Sequence, residues 1–406
     1  MGQLEVSSER GLAELGISRV INGYGPATIL GGSVLDPRIT RAMEEISHYF
    51  VDMDDLLDKV NSKIAKILEV EAAHVSSGAG SGLALCAAGC LTGVDQSKIE
   101  KLPDTNEFEK NEIVIQSGHK NTYDRCLRIS GAKLVEVGIP YLTYPWQLRN
   151  AISPKTAAVS FFTLGTARPG VLELEEVSSI ARESSTPVII DSCNEVLPDL
   201  GIVAKFFDRG ADLAVLSGGK TIQGPNDTGI ICGRKDLVEA CRANSYPHMN
   251  GIGRAMKVSK EQIVGILTAL ELYSRIDPLE RHRKWMKKLD VIQDELSGIA
   301  HIQVKRVPVQ PSLNGVPMLE IQLDEKSLGA TSKEIVSALK AHEPPIVLDI
   351  DYWKNFRRET LFVNPSCLQG SDEFIVASAL KSVLTDGAQL RKLLSKKERV
   401  RAIAYP

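Results

Sequence analysis

Several absences limit this chain of 406 residues before any motif is read. The seven cysteines, Cys86, Cys90, Cys126, Cys193, Cys232, Cys241 and Cys367, are odd in number and form no CxxC pair. Neither a zinc site nor a dithiol redox motif has that spacing, and reduced thiols in a cytoplasm fit it. No basic stripe is present: 48 Lys and Arg stand against 51 Asp and Glu for a net charge of −3, scattered along the chain. The electrostatic footprint of a nucleic-acid binder is therefore missing. No apolar stretch reaches the roughly 18 residues that a membrane helix needs. Residues 1–10 are polar and carry acids, unlike a secretory or transit peptide. Composition predicts a soluble, cytoplasmic protein whose partner is a small molecule, with no nucleic acid and no membrane.

What the chain does contain is alternation. Strand-like apolar runs recur at Ile113-Val114-Ile115, 133–137, 157–162, 187–190, 213–216 and 229–232. Helical spacing lies between or before them, at 171–182 and at 53–69, where Leu56, Leu57, Val60, Ile64, Ile67 and Leu68 share a face. This pattern predicts an α/β fold with a mostly parallel sheet covered on both faces. A long helical pattern from Glu261 to about Leu296, broken at Pro278, leads into a smaller α+β unit with strands at 301–307, 318–323 and 361–363 and helices at 332–341 and 372–384. The expected division is an N-terminal arm over 1–40, a large domain over 41–285 and a small C-terminal domain over 286–406. The charged run 391–401 reads as a solvated helix face.

The chemistry concentrates at strand ends. Lys220 closes Leu216-Ser217-Gly218-Gly219-Lys220-Thr221, directly after an apolar run. Twenty-nine residues upstream the run 187–190 ends on Asp191, so a lysine and an acid project from the ends of two strands of one sheet. That pairing suggests pyridoxal phosphate, which needs a lysine for a Schiff base and an anion to keep its pyridine nitrogen protonated. The small-residue turn Ser76-Ser77-Gly78-Ala79-Gly80-Ser81-Gly82 opens a helical stretch at 83–90; its free N–H groups and positive dipole end suit a phosphate dianion, with Ser217 as a further hydroxyl donor. His119, just after the run 113–115, is placed to stack on a cofactor ring or to serve in proton transfer. Cys193, His74 and His248 read as structural or surface residues.

The motifs Ile21-Asn22-Gly23-Tyr24-Gly25, Leu30-Gly31-Gly32-Ser33, Phe50-Val51-Asp52-Met53, Ser77-Gly78-Ala79, Asp191, Ser217-Gly218-Gly219-Lys220 and the stretch from Gly253 to Lys260 resemble the selenocysteine synthase (SelA)-like group of fold-type-I pyridoxal phosphate enzymes. The likeness spans nearly the whole chain and is nearest to the D-glucosaminate-6-phosphate ammonia-lyase branch. It implies Lys220 as the Schiff-base lysine, Asp191 as the pyridinium partner, His119 as the stacking residue, and Arg254 and Lys257 as basic residues near the active-site mouth. It also implies at least a homodimer in which 250–260 approaches the partner's cofactor. The chain departs from the group twice. The Ile21-Asn22 motif follows only twenty residues, leaving little room for a tRNA-gripping domain, and Leu348-Asp349 stand where relatives often place an arginine after Pro-Pro-Ile. The substrate carboxylate then falls to Arg168, Arg357 or Arg358.

The resulting expectation is a lyase acting on a free amino acid or amino-sugar acid, removing the α-proton and expelling a β-substituent to give a 2-oxo acid and ammonia. A β-replacement transferase, a racemase and a non-enzymatic pyridoxal phosphate-binding regulator are the alternatives.

Overall fold

The β-branched and alanine-rich runs become strands because both of their faces are buried. In the computed structural model, which describes residues 14–163, 170–193, 199–307, 315–350 and 359–395, they are β1 (Ala72–Ser76), β2 (Glu112–Gln116), β3 (Lys133–Val137), β4 (Thr156–Phe162), β5 (Val188–Asp191), β6 (Leu213–Ser217) and β7 (Gly229–Gly233). They form one seven-stranded sheet in the order β1-β7-β6-β5-β4-β2-β3. Neighbours run parallel except at β7, which is antiparallel to both β1 and β6. Successive residues Ile113 and Val114, Ala158 and Val159, Ile189 and Ile190, and Ala214 and Val215 are all fully buried, as a sheet covered on both faces requires.

One cover is the helix Met53–Leu68, which buries Leu57, Val60, Ile64 and Leu68. Asp52 starts it by accepting the N–H groups of Asp54 and Asp55 at 3.0 Å. The helix Leu174–Arg182 adds Leu174, Val177, Ile180 and Ala181 to the same core. On the opposite face, the helix Gly78–Thr92 buries Leu83, Leu85, Cys86 and Leu91. This helix begins at Gly78, where the sequence pattern leaves a turn as far as Gly82. The glycines are inside it because it lies so close to the sheet: a Cβ on Gly82 would stand 2.7 Å from Val215 Cγ1. The larger compact unit comprises residues 31–278.

The smaller unit takes residues 14–30, 279–307 and those described from 316 to 395. Its antiparallel sheet has the order Thr360–Val363, Met318–Leu323, Ile302–Val307, and a parallel pair joins Ile21–Gly23 to Ile346–Leu348. Leu289, Ile292, Leu319, Ile321, Leu361 and Leu380 make its core. The long helical pattern splits into Lys260–Tyr273 and Pro278–Glu295, with proline at the first position of the second helix, where its missing N–H costs nothing. No helix among the described residues is long and apolar enough to cross a membrane.

His74 on β1 is buried, and burial, reinforced by the charges of Arg242 and His248, pushes its pKa down to about 3 from the ordinary 6.5. The folded state thus keeps the ring neutral, whereas the unfolded chain takes up a proton below about pH 6.5. This site's cost is absent above that pH and grows as pH falls towards 3. Between pH 7.5 and 5.5, urea unfolding should show wild type losing about 1 kcal/mol more stability than His74→Gln. Equal losses would mean that the unfolded state does not protonate this ring preferentially.

Candidate active site

Parallel pairing of β5 with β6 sets Asp191 opposite Val215 and brings the ends of both strands side by side. Asp191 is the last residue of β5, Ser217 the last of β6, and Lys220 follows three residues later. The turn holding Lys220 is tightly specified. Gly218 donates its N–H to the Thr228 carbonyl at 2.8 Å, Gly224 donates to the Gly218 carbonyl at 2.8 Å, and Gln223 to the Lys220 carbonyl at 3.0 Å. The Ser33 hydroxyl lies 2.8 and 2.9 Å from the Gly219 and Lys220 carbonyls. Both glycines are demanded by close approach: a Cβ on Gly218 would lie 2.0 Å from Thr228 Oγ1, and one on Gly219 2.3 Å from Asn226 Cα. The lysine backbone is therefore rigid while its Nζ reaches to 4.0 Å from Cys193 Sγ.

The Asp191 carboxyl is 5 % exposed. Burial pushes its pKa up; hydrogen bonds from Cys193 and the Lys220 charge pull it back. Its Oδ1 accepts the Cys193 N–H at 3.1 Å, and Thr163 holds its carbonyl through N–H (3.1 Å) and hydroxyl (3.2 Å). No ion pair to Asp191 exists among the described residues. The Cys193 thiol is pushed well up by burial and by this carboxylate, and the Cys126 thiol, raised by burial, also feels the Asp191 charge. Cys126 Sγ would lie 3.2 Å from a Cβ on Gly80, which places it beside the start of the helix Gly78–Thr92.

His119 sits on a single turn, Ser117–His119, directly after β2, and is buried. Its Nδ1 accepts the Phe162 N–H at 3.5 Å, so the neutral ring carries its proton on Nε2. Its ring meets Phe161 edge to face, with centroids 4.6 Å apart. Gly118 allows this packing, since a Cβ there would lie 2.9 Å from the Pro140 carbonyl oxygen. Ser117 donates to Glu136, which also pairs with Lys120 at 2.9 Å; these bonds anchor the turn to β3 and hold the Glu136 carboxyl below its ordinary pKa.

At the helix start, Ser77 makes no side-chain cap bond, leaving the first-turn N–H groups of Gly78, Ala79 and Gly80 for an anion. Directly beneath lies Gly229 of β7, whose added Cβ would be 2.6 Å from Gly78 C and 2.8 Å from Ala79 N. Ser217 is half-buried and pairs with Gly229. Arg254 and Lys257 are exposed, and Arg254 stacks on Tyr246 at 5.6 Å from the ring centroid. Arg168, Arg357 and Arg358 lie outside the described residues. Thr163, Thr228 and Cys126 carry no motif of their own, and Ser33, although part of the Leu30–Ser33 motif, was given no site role.

A buried carboxylate, a lysine on a rigid turn, a buried imidazole and an uncapped helix start together form a donor set that fits pyridoxal phosphate: cation against Asp191, aldehyde against Lys220, phosphate against N–H groups. The comparisons agree. A model of the family described as SelA, L-seryl-tRNA selenium transferase, matches residues 110–336. The chain belongs to the SelA family. Among similar proteins, 5'-C-glycyluridine monooxygenase-decarboxylase from Streptomyces sp is 31 % identical over 92 % of this chain and 91 % of its own. D-glucosaminate-6-phosphate ammonia lyase from Salmonella typhimurium (strain 14028s / SGSC 2262) is 30 % identical over 81 % and 86 %. A solved D-glucosaminate-6-phosphate ammonia-lyase superposes with a TM-score of 0.80 at 25 % identity, covering 93 % of this chain and 98 % of that one. This SelA protein is an enzyme of the fold-type-I class, and pyridoxal 5'-phosphate is its cofactor.

Gly229→Ala should displace the helix start without touching any side chain of the site. Pyridoxal phosphate affinity, read by equilibrium dialysis, should fall about tenfold or more, roughly 1.4 kcal/mol. Unchanged affinity would place the phosphate away from residues 77–80.

Proposed function

We propose that this enzyme is a lyase that removes ammonia from a free amino acid or amino-sugar acid bearing a β-hydroxyl group. The observation that carries this reading is the juxtaposition of Asp191 and Lys220 at adjacent strand ends, in a chain that follows an ammonia-lyase structure over 93 % of its length. Bound pyridoxal phosphate supplies an aldehyde for the substrate amine and a ring that takes up the electron pair left at Cα. Lys220 would hold the cofactor through its aldehyde, and its Nζ would serve as the base that takes the proton from the substrate Cα. The proton taken by Lys220 Nζ would pass to the departing β-hydroxyl, which leaves as water, and hydrolysis would release a 2-oxo acid and ammonia. Asp191 keeps a proton on the pyridine nitrogen, and the bonds from Cys193 hold that carboxylate in register. His119 covers the ring, and its Nε2–H is a donor for a substrate oxygen. Gly78, Ala79, Gly80, Ser77 and Ser217 bind the phosphate. Arg254 and Lys257 receive the acid group of the substrate, with Arg168 and Arg358 as further candidates. We place the enzyme in the cytoplasm as at least a homodimer with shared sites.

Borohydride reduction of the cofactor-loaded protein followed by peptide mapping should leave the pyridoxyl label on Lys220, and Lys220→Ala should bind cofactor weakly with no turnover. Label on another lysine would overturn the assignment.

The SelA-type alternative is β-replacement on an aminoacyl-tRNA. The net charge of −3 and the scatter of most Lys and Arg along the sequence support a small-molecule substrate over a polyanion of that size. Purified enzyme should release ammonia and a 2-oxo acid from 2-amino sugar acids or β-hydroxy amino acids and show no salt-sensitive gel shift with seryl-tRNA. Tight, salt-dependent tRNA binding with no turnover of free amines would favour the transferase. Carbon dioxide release with oxygen consumption would favour instead the chemistry named for the Streptomyces relative.

A further inference from the structure

Arg254 stands on a loop held by a polar network, not by apolar packing alone. Asn61 of the helix Met53–Leu68, His74 of β1 and Ser245 are buried together. The Val75 N–H donates to Asn61 Oδ1 at 3.1 Å, which turns the Asn61 amide nitrogen towards His74 Nδ1 at 3.2 Å. A ring nitrogen that accepts an amide N–H carries no proton, so the proton sits on Nε2 and is donated to Ser245 Oγ at 2.8 Å. The Ser245 hydroxyl donates in turn to the Arg242 carbonyl at 2.9 Å, with the Tyr246 carbonyl at 3.1 Å. Only one assignment of hydrogens satisfies this chain. Burying a histidine in a core is costly where an apolar side chain would fill the space.

The two ends of the network indicate its use. β1 runs straight into Ser77 and the uncapped helix start. Ser245 runs into Tyr246, which packs against the core of the larger unit and carries the Arg254 guanidinium on its ring. The loop also folds back on Ser245, which bridges to Gly253. Gly253 donates its N–H to the Asn244 carbonyl at 2.8 Å, Arg254 to that of Gly251 at 2.9 Å, and Met256 to that of Gly253 at 2.8 Å. Gly251 and Gly253 are needed for this approach, since Cβ atoms there would lie 2.4 and 2.7 Å from the Asn244 oxygen.

We propose that His74 and Ser245 are positioning residues for substrate recognition: their hydrogen bond clamps the loop 245–256 to the strand that leads into the phosphate turn, and so holds Arg254 in place for a carboxylate or phosphate of the substrate. The inference rests on the reading of Arg254 as a substrate-anion residue. That reading and the clamp are tested separately by two measurements on the full-length, cofactor-loaded protein. One is steady-state kinetics with D-glucosaminate 6-phosphate as probe. The other is hydrogen exchange across 246–257, which needs no turnover. Ser245→Ala and His74→Gln should each raise KM about five- to tenfold with kcat within about twofold, and should speed exchange in the loop about tenfold. Arg254→Ala should raise KM at least as much and leave exchange unchanged. The double variant Ser245→Ala/Arg254→Ala should have a KM within about twofold of Arg254→Ala alone, because both changes remove one interaction. Unchanged KM in Arg254→Ala alongside faster exchange in Ser245→Ala overturns the substrate reading of Arg254 and this inference with it. A raised KM in Arg254→Ala with unaltered KM and exchange in Ser245→Ala and His74→Gln overturns the inference alone, as do KM effects that multiply in the double variant. If wild type does not turn the probe over, the amino-sugar reading fails and the exchange data decide the clamp.

Discussion

A carboxylate that is buried with no ion pair among the described residues is the condition on which the rest of the larger unit depends. Taking Asp191 out of water costs several kcal/mol unless a cation or strong donors meet it, yet the described residues supply only the hydrogen bonds of Cys193 and the more distant charge of Lys220. A structure tolerates such a debt where a bound group settles it. The proposed protonated pyridine nitrogen against Asp191 would do so, and would account for an acid inside the sheet end and not on the surface.

That arrangement needs backbone to come closer to backbone than any side chain permits. Gly218 and Gly219 let the lysine turn rest on residues 226–228, Gly229 lets the start of the helix Gly78–Thr92 lie on β7, and Gly118 lets the histidine turn lie under Pro140. Each approach fixes one candidate residue without spending a side chain on the task. The side chains left over, from Ser33, Thr163 and Glu136, hold the turns by hydrogen bonds to carbonyls and hydroxyls. Precision at the site thus comes from packed main chain and from a surrounding set of polar anchors.

The exposed basic residues and the packed frame are separated along the chain. Strand ends carry the proposed acid, lysine and imidazole, whereas the basic residues Arg254 and Lys257 stand exposed on a loop whose order depends on a buried imidazole and two hydrogen-bonded neighbours. Relatives with different named activities align with most of this chain, as expected where one scaffold hosts several reactions.

Six of the seven central strands, the helices at 53–68 and 174–182, and the break at Pro278 were legible in the sequence, because burial on both faces leaves unbroken apolar runs and proline cannot sit inside a helix. The placement of Lys220, Asp191 and His119 at or just after strand ends was legible too, since each ends or follows such a run. β1 was not: Ala72-Ala73-His74 is weakly apolar, and only pairing with β7 and the partners of His74 make it a strand. Nor could spacing show that the glycines at 78–82 lie within a helix, because what they accommodate, Val215 and Gly229, is more than 130 residues away in sequence. Residue type and local periodicity determined which groups were available for chemistry. Their meeting was decided by strand order and close main-chain contacts, which depend on atoms remote in the chain and leave no periodic trace in it.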